Sequence, residues 1–109
     1  MTNISLTLEQ QDALALLRAA TNISNARALS DKAALAKALD ENMQLWTGIQ
    51  TLLKRGGHPL PNEIKSNLLK LANFVVSKTL LNGCDAKDET LDTLENMNLQ
   101  IAEGLLEAA

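Results

Sequence analysis

Residues 31–55 read DKAALAKALDENMQLWTGIQTLLKR, and within them Leu35, Ala38, Leu39, Leu45, Trp46, Ile49, Leu52 and Leu53 recur at three- and four-residue intervals. That is the period of one face of an α-helix. Ser30 or Asp31 can cap the start, and Lys54 and Arg55 complement the negative end of the helix dipole. Gly56 and Gly57 then supply left-handed conformations that end the helix.

The same punctuation divides the rest of the chain. Thr7 with Gln10 three residues on forms a capping box, which opens a helix over about 8–27 with Ala13, Leu14, Leu17 and Ala20 as its apolar positions. Thr21, Asn22, Ser24 and Asn25 are poor interior formers and leave its end loosely specified. Pro61 suits the first turn of a third helix over 61–82, closed by Gly83, and a fourth helix runs over 87–107. The loops between are short.

Composition agrees. Of 109 residues, 22 are leucine and 15 alanine, valine occurs only at Val75 and Val76, tyrosine is absent, and Trp46 and Phe74 are the aromatic residues. Too few β-branched and aromatic residues remain to cover a pleated sheet. The expectation is an all-α single domain over 1–109, a compact bundle of four helices. No apolar run approaches the roughly 20 residues that span a bilayer. With one cysteine and no signal peptide, the expected location is the cytoplasm.

Two asparagines interrupt the apolar stripes. Asn42 falls in the middle of the stripe on the second helix; Asn98 does so on the fourth, among Leu91, Leu94, Ile101, Ala102 and Leu105. A buried amide without partners costs about 1–3 kcal/mol, so the two are expected to meet and set the register of their helices. Replacing either by leucine should then cost about 1–3 kcal/mol, and replacing both less than the sum.

The third helix is apolar beyond the stripe a surface helix needs. Ile64, Leu68, Leu71 and Val75 form its main line, Leu69, Val76 and Leu80 flank one side, and Phe74 and Leu81 the other. Such a helix is central or faces a partner, and Leu69, Phe74, Val76, Leu80 and Leu81 are the candidate partner-binding residues. Charge is uneven as well: residues 1–80 carry nine basic and six acidic groups, residues 81–109 one basic and seven acidic. The acidic opening of the fourth helix suits its dipole and could also guide a basic partner.

Catalytic chemistry lacks its parts. His58 stands in a Gly-Gly-His-Pro loop, Cys84 has no basic neighbour to activate it, and there is no phosphate-binding loop, nucleophile set or metal-ligand spacing. No cofactor and no enzymatic activity are expected. A net charge of −3 without a basic patch or stacking aromatics argues against nucleic-acid binding.

From Ala38 onward the chain resembles the FlaF family, regulators of flagellar biosynthesis in alphaproteobacteria. Asn42-Met43-Gln44-Leu45-Trp46 is similar to the family's Asn-x-x-Leu-Trp element, Leu60-Pro61 to its Leu-Pro helix start, and Asn98 through Glu103, Gly104 and Leu105 to its Asn…Glu-Gly-Leu ending. Gly83 and Asp85 fall where the family has a small link. The first third departs from the pattern, with Glu9-Gln10-Gln11-Asp12 in place of an aromatic and a Pro-Arg-Glu-like opening. The resemblance implies a cytoplasmic protein that binds flagellin before export and acts as its chaperone or regulator. Its alternatives are action on flagellin mRNA translation and an adaptor role with the partner regulator FlbT. On this view the motif residues are core devices, and Trp46 is an interior anchor.

Overall fold

The computed structural model describes residues 8–55 and 61–108. Four helices fill them: α1 (Leu8–Ala28), α2 (Lys32–Lys54), α3 (Asn62–Asn82) and α4 (Asp88–Ala108), with one 3₁₀ turn, Gly83–Asp85, between the last two. The all-α four-helix architecture is the expected one, and the helix ends differ from expectation by a residue or so. Thr7, the Gly56-Gly57 stop, His58 and Leu60 lie outside the described residues.

The caps follow from local chemistry. Asp31 is the N-cap of α2 and accepts from the Ala34 amide at 3.0 Å. Ser30 takes the left-handed conformation, φ 51°, that ends α1. Its amide donates to the Arg27 carbonyl at 3.1 Å, and the Asp31 amide reaches back to Ala26 at 3.2 Å. This Schellman closure usually carries glycine, because a side chain in that conformation costs about 1–2 kcal/mol. Ser30→Gly is expected to stabilise the protein by about 0.5–1 kcal/mol after glycine's extra unfolded-state entropy is subtracted, read as a rise of about 3–6 °C in the melting temperature. Pro61 is the N-cap of α3, one position earlier than its expected place in the first turn, and its carbonyl accepts from the Lys65 amide at 3.0 Å. Gly83, at φ 51°, closes α3 by donating to the Thr79 carbonyl.

Packing departs from expectation at α1 and α3. The first helix is the one that packs closely along both α2 and α4. It buries Ala13, Leu16, Ala19, Ala20, Ile23 and Ala26, while Leu14, expected inside, is 42% exposed. The face is mostly alanine, so neighbouring helices approach closely with little apolar bulk between them. Thr21, Asn22, Ser24 and Asn25 all lie on its exposed side, which is why the helix runs through them. The third helix is not central. It packs chiefly on α2, buries only Ala72 and Val75, and meets α4 marginally. The Cα envelope measures 40 × 38 × 18 Å. The short axis fits two helix layers at about 8–10 Å spacing, whereas the broad face is wider than a tight bundle needs, so the helices splay within it.

Candidate protein-docking site

A polar network ties the middle of the bundle. Trp46 and Asn98 are both fully buried, and the Trp46 indole Nε1 donates to the Asn98 Oδ1 at 2.8 Å. The Asn98 Nδ2 donates to the Asn42 Oδ1 at 2.7 Å and to the Leu16 carbonyl of α1 at 3.1 Å. The expected pairing of Asn42 with Asn98 is therefore present, with Trp46 and α1 joined to it. No Cα of α2 comes within 8 Å of one in α4, so these side chains themselves bridge the two helices. Asn98 uses all its amide hydrogens and its oxygen, but the buried Asn42 Nδ2 has no partner. The pair is thus unequal, which periodicity alone does not reveal.

The remaining motif residues divide. Leu45 and Leu105 are half-buried against the core. Glu103 and Gly104 are exposed and are not core residues, since at about 100° per residue they fall well away from the Asn98 line. A Cβ at Gly104 would meet nothing within 4 Å, so close packing does not demand a glycine there.

At the other end of α4, three carboxylates converge on one guanidinium. Arg27, at the end of α1, pairs with Asp92 at 2.9 Å, with Asp88 at 3.5 Å and with the largely buried Glu95. Burial works against the Arg27 charge, but hydrogen bonds to Asp92 and Glu95 and their charges outweigh it and raise its pKa above the ordinary arginine value. Lys32 reaches Asp85 at 3.7 Å. Much of the acidic opening of α4 is therefore engaged within the chain, fastening α4 to the α1–α2 corner.

The flank of α4 opposite Asp92 and Glu95 carries Met97 and Ile101, half-buried against the core. The flank of α3 turned away from Asn73, which bonds Gln50 of α2 at 2.6 Å, carries Leu71 and Phe74, also half-buried against the core. Because α3 and α4 barely touch, neither helix covers the other's apolar flank. Lys78 stands over the Phe74 ring, 5.8 Å from its centroid, giving the α3 side a positive edge.

The five candidate partner residues do not share one groove. Phe74 lies on the Leu71 flank; Leu69 and Val76 are half-buried on the opposite flank; Leu80 and Leu81 stand at the C-terminal end of α3, 71% and 77% exposed. Sequence reasoning had overlooked Leu71, Met97 and Ile101 as a docking surface, although each sits beside a core position in the helical pattern. A separate cleft of about 330 Å³ between α1 and α2 is lined by Asn22, Asn25, Ala26, Ala34, Lys37 and Glu41, among others. Among the described residues no three His, Cys, Asp or Glu side chains are placed to hold a metal ion, and no helix is long and apolar enough to cross a membrane.

Residues 2–105 match the family model described as Flagellar protein FlaF. The match takes in the first third, which sequence reading alone had set apart, and this accords with α1 packing on both neighbours. No curated protein and no solved structure matches the chain. With the match spanning nearly all of α1 through α4, this chain belongs to the FlaF family of flagellar proteins.

Proposed function

We propose that the protein binds flagellin in the cytoplasm before export and acts as a chaperone and regulator of its supply. The observation that carries this reading is the pair of half-buried apolar flanks, Leu71 and Phe74 on α3 and Met97 and Ile101 on α4, which the two helices do not cover for each other. An amphipathic helix laid along such flanks would cover them. Flagellin not yet in a filament has amphipathic segments without their filament neighbours, and the family places this chain in flagellar biology.

Action on flagellin mRNA is less well supported. Trp46 is fully buried and cannot stack on a base, and Arg27 is engaged with carboxylates. An adaptor role with FlbT needs no flagellin contact, so flagellin binding by the purified chain separates it from the chaperone reading.

Titration calorimetry with monomeric flagellin is expected to show a complex. Phe74→Ala together with Met97→Gln should weaken it by about tenfold or more, the scale of losing two apolar contacts, with the helical circular dichroism spectrum retained. Absence of binding by the unaltered protein would remove the chaperone reading.

A further inference from the structure

Two glycines stand inside helices at exposed positions, Gly48 on α2 and Gly104 on α4. A Cβ at either would meet nothing within 4 Å, and neither has the positive φ that reserves position 83 for glycine. Glycine gives up more backbone freedom than alanine on entering a helix, so each of the two weakens its helix with no gain inside the chain. Their surroundings differ. Seven residues before Gly48, on the same line of α2, is the exposed Glu41. Seven before Gly104, on the same line of α4, is Met97, with Ile101 one turn back. Gly104 therefore continues the apolar flank of α4 that α3 leaves uncovered.

We propose that Gly104 is the point at which the partner helix crosses α4. With no side chain there, the two backbones come into contact, while Met97 and Ile101 supply the apolar surface beside the crossing. This rests on the flagellin reading above and specifies the flagellin segment: an amphipathic helix with glycine, alanine or serine on its apolar line where it meets Gly104.

Charge narrows the segment further. Glu103 and Glu107 are the charged residues of 101–108, and both are exposed. Among the described residues neither has an ion-pair partner, whereas Asp88, Asp92 and Glu95 are held by Arg27. A partner helix with lysine or arginine next to its small residue complements them. A second copy of this chain docked through the same flank would bring these carboxylates against their like, which disfavours self-association there.

The test measures flagellin binding by titration calorimetry for the full chain and for Gly104→Ala, Gly104→Leu and Gly48→Ala, with the melting temperature of each. Both alanine variants are expected to melt about 2–6 °C higher, because each removes a helical glycine. Gly104→Ala should nevertheless bind flagellin about fivefold or more weakly, and Gly104→Leu about a hundredfold, the scale of forcing atoms into a packed contact. Gly48→Ala should keep the unaltered affinity. Glu103→Lys with Glu107→Lys should weaken binding about threefold or more. A merely structural role cannot produce loss of binding in a more stable protein. Unchanged or tighter binding by the Gly104 variants, equal weakening by Gly48→Ala, or no effect of the charge reversal would each overturn this proposal while leaving flagellin binding intact. No binding by the unaltered protein would remove both readings.

Discussion

Trp46→Ala is expected to be the most damaging single substitution in the core. It deletes the largest fully buried side chain, at a cost of about 3–5 kcal/mol for a buried Trp→Ala change. It also leaves the Asn98 Oδ1 without its 2.8 Å donor in the interior, which adds about 1–3 kcal/mol. Against a typical domain stability of about 5–15 kcal/mol, the variant should be largely or wholly unfolded at growth temperature. Urea denaturation followed by far-ultraviolet circular dichroism measures this, since the substitution removes the only tryptophan. Trp46→Phe isolates the polar part of the effect. It keeps most of the ring volume, loses the indole donor, and should cost about 1–3 kcal/mol. A Phe variant as stable as the unaltered protein would mean that the Trp46–Asn98 bond contributes nothing.

The second large effect is an asymmetry between the two asparagines. In Asn98→Leu the Trp46 Nε1 and the Asn42 Oδ1 both lose their partner while remaining buried, so the cost should be about 2–5 kcal/mol. In Asn42→Leu the group removed was itself half-satisfied, and Asn98 keeps its bonds to Trp46 and to the Leu16 carbonyl. That change orphans one buried Asn98 amide hydrogen rather than two groups, so it should cost about 1–3 kcal/mol and less than Asn98→Leu. The double variant leaves only the indole donor orphaned, so it should be less destabilised than Asn98→Leu alone plus Asn42→Leu. Equal costs for the single variants, or strict additivity in a double-mutant cycle, would contradict the network.

This asymmetry marks how far sequence reading reaches. Periodicity placed Asn42 and Asn98 in the apolar stripes of their helices, and the cost of a lone buried amide then required them to meet. Which asparagine is the hub depends on the Leu16 carbonyl and the indole nitrogen, and these come from residues 82 and 52 positions away from Asn98. Local spacing carries no information about such partners. The docking surface was legible in part. Phe74 was identified from its flank position, but Ile101 was read as part of the core stripe and Met97 was not singled out. Whether a flank of that kind is covered depends on where the adjacent helix lies.

The sequence by itself determined the four helices, the Asp31 cap and the Gly83 stop, the all-α class and the positions of the polar interruptions. All of these follow from interactions within a few residues: capping side chains, left-handed stops and the 3.6-residue period. Tertiary structure decided that α1 is the packed centre and α3 the outlying helix. An alanine-rich face looks weak in a hydropathy count yet lets two neighbours come close, whereas the width of α3's apolar stripe says nothing about whether a neighbour covers it. It also decided that the acidic opening of α4 is fastened by Arg27, because only folding brings residues 27 and 88 within reach of each other.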